Sequence, residues 1–249
     1  MKTKNPPGRH GRIPHSRSWL AAGAIGALTA ALVLPFGAVA QAEDPDAPVV
    51  DYEFTQTTGS QVPDAAAGEA AVVQNATDEA WTGTSLRLTG GAKDGDGTWV
   101  RLPDDLLSEA SSATITTEVK LDERMTQDYN FLWSIGADGN TEEYFFATTR
   151  TPARTAITTG SNGGEISAGG GESLQADRWY SLTTVLDGAA GALSFYVDGE
   201  LTGTTPTQLE PSSITDQSLN TIGRSPWPDP LFAGEVSAFA VHDQAPTAA

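Results

Sequence analysis

Apolar and polar residues alternate with a period of two through much of this chain, and the alternation is clearest in Gly191-Ala-Leu-Ser-Phe-Tyr-Val-Asp-Gly-Glu-Leu-Thr-Gly-Thr204. Leu193, Phe195 and Val197 fall on one side of a strand, with Ser194 and Tyr196 on the other. Asp198-Gly199 then predicts a two-residue type I′ turn, because both of its central positions need positive φ. Glu200–Thr204 would run back as the partner strand, and Trp179–Asp187 precedes them as a third. Residues 179–205 thus read as an antiparallel meander.

Similar short segments fill the rest of the chain. Val49–Phe54 carries Val50, Tyr52 and Phe54 on one face, and Ala113–Leu121 carries Ile115, Thr117, Val119 and Leu121 on one face. Further strands are predicted at 70–74, 84–89, 98–102, 130–136, 143–148, 154–159, 219–223 and 232–242. Asp104-Asp-Leu-Leu107 reads as a helical turn with Asp104 as its N-cap. Residues 160–171 are glycine-dense and polar, hence loop. Many short strands with no amphipathic helix predict an all-β fold, a two-sheet antiparallel β-sandwich.

The first residues differ in kind. Lys2, Lys4, Arg9, Arg12 and Arg17 precede an apolar, Ala-rich stretch from Trp19 to Ala40. Ala38-Val-Ala40 and Ala40-Gln-Ala42 both satisfy the small-x-small cleavage rule, so residues 1–42 read as a secretory signal peptide. Roughly 20 apolar residues could also form an uncleaved anchor, but Pro35 and Gly37 before the A-x-A site favour cleavage. The general secretion route is expected, since no twin-arginine pair is present. Residues 43–48 form a short polar lead-in, 49–243 the β domain and 244–249 a tail.

Without the leader, nine Lys and Arg face thirty-two Asp and Glu, a formal charge of −23. Such a polyanion repels phosphate backbones and anionic lipid, so neither nucleic acid nor, after cleavage, a membrane is an expected partner. Cysteine is absent, which removes thiolate catalysis and Cys-ligated metal centres. His242 is the only histidine after the leader, so a His-based triad or metal cluster would have to be built around one ring.

Tyr52-Glu-Phe54, Ser85-Leu-Arg-Leu88, the strand from Trp179 to Asp187, Phe195-Tyr-Val-Asp-Gly-Glu200, Ile222-Gly-Arg-Ser225 and Phe232-x-Gly-Glu-Val236 follow one another in an order that resembles LamG-like jelly rolls of the concanavalin A-like lectin/glucanase group. The resemblance spans residues 49–243. It implies two curved sheets with the first and last strands side by side. It also implies a module of the kind that accompanies secreted bacterial carbohydrate-active enzymes, often without catalysis. Some members hold a structural calcium. Here Gly234-Glu-Val236 is followed by Ser237-Ala238, so one acidic ligand of that pattern is missing, and Asp64 in Pro63-Asp-Ala65 is the candidate that remains.

Five tryptophans follow the leader. Trp99, Trp133 and Trp179 lie within strand patterns and are expected in the core, while Trp81 could serve either role. Trp227 stands in Ser225-Pro-Trp-Pro-Asp-Pro230, a proline-stiffened loop in which an indole either packs down or offers a sugar-stacking surface. Arg224 and Asp229 flank it and could hydrogen-bond hydroxyls, or form a local ion pair. No strand carries the spaced carboxylates of a glucanase, and the adjacent Glu142 and Glu143 would point to opposite faces. The expected function is a secreted, non-catalytic module binding a glycan or cell-surface component, with Trp227, Arg224 and Asp229 as ligand-binding candidates. A structural or protein-interaction domain without a sugar site is the alternative, and a small glycoside hydrolase a third reading. Oligomeric state and ligand identity are not readable at this level.

Overall fold

The computed structural model describes residues 47–246; the predicted leader, with residues 43–46 and 247–249, lies outside the described residues. Fifteen strands run in chain order: β1 Val50–Glu53, β2 Gln61–Val62, β3 Ala71–Gln74, β4 Leu86–Gly91, β5 Trp99–Arg101, β6 Ala113–Leu121, β7 Trp133–Gly136, β8 Tyr144–Thr148, β9 Arg154–Thr158, β10 Ile166–Gly169, β11 Trp179–Asp187, β12 Ala192–Val197, β13 Glu200–Pro206, β14 Thr221–Ile222 and β15 Leu231–His242. They form two antiparallel sheets. The seven-stranded sheet has the order β1-β15-β6-β11-β12-β13, with β4 also on β15, and the eight-stranded sheet has the order β10-β9-β8-β7-β14-β5-β3-β2.

Alternation explains the seven-stranded sheet directly. Along β6, buried and half-buried residues alternate without a break over nine positions. Ile115, Val119 and Leu121 enter the core between the sheets, joined there by Tyr52, Phe54 and Phe195. The chain ends meet as expected, with Val50 opposite Val241 and Glu53 opposite Ala238. At twelve residues β15 is long enough to serve two short partners, and its first half pairs with β4, Leu231 opposite Gly91 and Val236 opposite Leu86.

The meander also forms as its turn chemistry requires. Asp198 and Gly199 have φ of +52° and +80°, and Val197 pairs with Glu200. The aspartate has a second use: one carboxylate oxygen accepts the Ser181 N–H at 3.0 Å and the other meets Arg178 at 2.7 Å, which ties the hairpin tip to β11.

Four local expectations are corrected, one of them Trp99, which is half-buried under Arg224 and not in the core. Residues 166–169 of the glycine-dense segment are strand β10, paired with β9 from Ile166–Ile157 to Gly169–Arg154. Glycine is needed there for contact, since a Cβ on Gly169 would lie 2.5 Å from the Ala153 carbonyl oxygen, and one on Gly203 of β13 would lie 2.7 Å from Gly169 N. Asp104–Leu107 is a turn and not a helix: Asp105 has φ of +53°, and Asp104 receives Arg101 at 2.9 Å instead of capping. Trp179 is 40 % exposed, because its pairing with Lys120 sets it on the outside of the sheet, where the ammonium lies 5.5 Å from the ring centre. Trp133 is in the core, edge-on to Phe145 at 5.1 Å, and Trp81 is buried with its indole N–H on the Gly59 carbonyl.

Candidate functional site

The eight-stranded sheet is apolar on both faces where β7, β8 and β9 meet. Phe145 and Ile157 point into the core, while Tyr144, Phe146 and Ala156 turn outward and are buried as well. The cover comes from Phe131, stacked on Phe146 with centroids 3.9 Å apart and planes within 10°, and from Trp227, edge-on to Tyr144 at 6.3 Å. These side chains wall a cavity of about 500 Å³, which is within the usual range for small-molecule sites.

Its polar groups are mostly held in place by one another. Arg154 lies 5.0 Å from the centre of the Phe146 ring and pairs with Glu165 at 2.8 Å. The other Glu165 oxygen accepts the Tyr144 hydroxyl at 2.8 Å. Burial first, then the hydrogen bond and charge of Glu165, push the Tyr144 phenol well above its ordinary pKa, so it remains a neutral donor. On another side of the lining, Arg150 stacks on Tyr129, 4.0 Å from the ring centre, and its Nε donates to the Gln127 carbonyl.

Of the residues singled out from the sequence, Trp227 and Asp229 line this cavity and Arg224 does not. Trp227 combines the two alternatives, half-buried against Tyr144 while bordering the open space. Ser225 locks the loop: its hydroxyl donates to Asp229 at 2.9 Å and accepts the Trp227 N–H at 3.0 Å. Arg224 turns elsewhere and forms no pair with Asp229. Its guanidinium donates to the Lys93 carbonyl at 2.8 Å, pairs with Asp138 at 3.1 Å and lies over Trp99 at 5.1 Å. The carboxylate and the indole fix this arginine in the fold, away from Asp229.

Asp64 is engaged by the backbone of its own loop. Its carboxylate accepts the N–H groups of Asp51, Ala66 and Gly68 at 2.7, 3.0 and 2.8 Å. Among the described residues no three His, Cys, Asp or Glu side chains converge, so a calcium there would depend on backbone carbonyls for its other ligands. The carboxylate is the staple of its own loop.

Tyr144, Phe146, Phe131, Arg154 and Glu165 were not singled out from the sequence. A signal was present: Tyr144-Phe-Phe146 puts rings on both faces of one strand, which a sheet with a solvated outer face would not do.

A family model described as the concanavalin A-like lectin/glucanases superfamily matches residues 94–249. The chain belongs to this superfamily. No curated protein matches the chain. Among solved structures, domain 4 of AbnA, a GH43 extracellular arabinanase from Geobacillus stearothermophilus in complex with arabinotriose, is similar with a TM-score of 0.60 and 16 % identity, over 80 % of this chain and 94 % of that one. The CBM40 of a Ruminococcus gnavus IT-sialidase, bound to α2,3-sialyllactose, gives 0.52 and 13 %, over 66 % and 91 %. The binding domain of botulinum neurotoxin serotype C1 gives 0.56 and 12 %, over 81 % of this chain and 50 % of that domain. At such identities the superfamily member shares their jelly-roll fold.

Proposed function

We propose that this superfamily member is an exported, non-catalytic module that binds carbohydrate in the cavity between Phe146, Tyr144 and Trp227. The observation that carries the reading is an aromatic wall on the outer face of a sheet, bordered by fixed polar groups. Sugar C–H faces stack on such rings, while Asp229 and the Arg154–Glu165 pair offer hydrogen-bond acceptors and donors to hydroxyls. Ser225 and the neighbouring prolines pre-order the Trp227 loop, which lowers the entropy lost on binding. Relatives of the same fold seen with arabinotriose and α2,3-sialyllactose support a glycan partner in general terms. The basic, apolar leader supports export.

The reading without catalysis is supported by the relatives of this fold, which are mostly binding domains. The cavity does carry two carboxylates, Glu165 held by Arg154 and Tyr144 and Asp229 held by Ser225, so release of shorter sugars is the measurement that separates the two readings. The test is a glycan array probed with residues 43–249, followed by titration of the best glycan with parent and Trp227→Ala. The parent should bind without releasing shorter sugars, and the variant should lose about 1–3 kcal/mol of affinity, by analogy with base stacking on aromatics. Half-burial of the indole predicts a moderate stability loss as well, about 1–2 kcal/mol, below that of a fully buried ring. Undiminished binding by a folded Trp227→Ala would move the site elsewhere. Cleavage of the glycan would favour the hydrolase reading, and a parent that binds no glycan the protein-interaction reading.

A further inference from the structure

We infer that the glycan taken by this cavity is acidic, carrying a carboxylate or sulfate that pairs with Arg150. The inference rests on the cavity being the binding site and names the class of ligand it takes. Residues 47–246 contain nine Lys and Arg side chains among a large excess of Asp and Glu. Seven of the nine form ion pairs: Lys93, Arg101, Lys120, Arg124, Arg154, Arg178 and Arg224. Of the remaining two, Arg87 lies on β4 and adds its charge to the field at Glu235. Arg150 makes no ion pair among the described residues, yet its side chain borders the cavity.

Its position is held without a carboxylate. The Arg150 backbone N–H donates to Thr148 Oγ1 at 3.2 Å, Nε donates to the Gln127 carbonyl at 3.0 Å, and the guanidinium carbon lies over Tyr129, 4.0 Å from the ring centre. None of these contacts takes up the two terminal amino groups. A planar guanidinium held by its stem and face, with its terminal N–H groups unclaimed, is preorganised for a bidentate oxyanion.

The other charges of the lining sharpen the class. Arg154 and Glu165 neutralise each other, and Asp229 accepts from Ser225 with no cation beside it. The cavity therefore presents one unmatched cation and one unmatched carboxylate, which the fold does not pair. A ligand that satisfies both has an anionic group for Arg150 and hydroxyl donors for Asp229, the two functions an acidic sugar combines. The acid surplus of the whole chain repels anions at long range, but screening over about 8 Å at physiological salt leaves the near guanidinium dominant.

The test is an array that prints carboxylated and sulfated glycans beside their methyl-esterified and desulfated forms, probed with residues 43–249. The strongest pair is then titrated against parent, Arg150→Gln and Arg150→Lys. The acidic form should bind about tenfold more tightly than its neutral counterpart, and Arg150→Gln should remove that difference, the acidic form losing about tenfold more affinity than the neutral one. Arg150→Lys, which keeps charge but not the fork, should recover part of it. Which acidic series binds separates carboxylate from sulfate, and unchanged melting temperatures keep a folding defect apart. Equal binding of acidic and neutral forms, or an acid preference that survives in Arg150→Gln, overturns this inference and leaves the cavity as a neutral-sugar site. Absence of binding on every spot overturns it together with the carbohydrate reading.

Discussion

The two sheets share one core and differ on their outer faces. On the seven-stranded sheet the outer positions of β6, β11 and β12 are mostly polar and uncovered, its large rings Trp179 and Tyr196 included: Thr116 and Thr183 share a hydrogen bond at 3.1 Å across the strands, and Ser194 meets Thr204 at 2.9 Å. On the eight-stranded sheet the outer positions of β8 and β9 are Tyr144, Phe146 and Ala156, buried under Phe131 and Trp227. Hydrophobic burial between the sheets is enough to explain the fold. It does not call for a second aromatic layer on one outside face only. One face has only to meet water and the other is built like an interior with an opening, which is why the proposed binding site is put on the second.

The largest test of that contrast is stability. Phe146→Ala should cost about 3–5 kcal/mol, the loss typical of a buried ring, although Phe146 lies outside the main core. Thr116→Ala, at an outer position of the other sheet, should cost about 0.2–1 kcal/mol. Denaturant unfolding of the pair measures both, and comparable small losses would mean that the aromatic layer is loosely packed cover.

A middle-sized effect tests the meander. A Cβ on Gly199 would meet no atom within 4 Å, so any loss in Gly199→Val arises from the backbone at φ of +80°. About 1–2 kcal/mol is expected from forcing a β-branched residue there, read as a lower melting temperature. A melt identical to the parent's would mean that the turn relaxes to another type at no cost.

The smallest effect is electrostatic and belongs to the polar face. Burial of Glu235 would raise its pKa, but hydrogen bonds from Lys120 and Ser85 and the Lys120 charge outweigh this and hold it below the ordinary carboxylate value. The unfolded chain then binds the proton more readily, so this contribution is full above the ordinary Glu pKa and is lost as pH falls through the lowered folded value. Glu235→Gln should show a shallower loss of stability on acidification than the parent. Parallel pH profiles would contradict the coupling.

The same contrast explains what could be read from the sequence. Strands β6 and β11 were legible to the residue, β6 through a clean alternation and β11 through one that holds as far as Thr184. β8 was legible as a strand, but its outer face was not recognised, because Tyr144-Phe145-Phe146 has no alternation and an apolar run reads first as core. β10 was hidden because Gly169 is there for contact with β9, while glycine density in a sequence reads as loop. Trp227 and Asp229, singled out through the local stiffness of their prolines, line the cavity. Arg224 lies away from the cavity because its partner Asp138 is 86 residues away, a distance that only tertiary structure closes.

The central claim is that ligand contacts lie on the outer face of the eight-stranded sheet. It is tested most directly by backbone amide NMR of residues 43–249 during titration with the oligosaccharide that the array selects. The shifts should concentrate at residues 129–131, 144–154, 165 and 225–229, with the outer positions of the other sheet, Thr116, Trp179, Thr183 and Ser194, unmoved. Perturbation centred on Trp179 and Lys120, with the residues around Phe146 and Trp227 unchanged, would place the ligand on the opposite face and contradict the account.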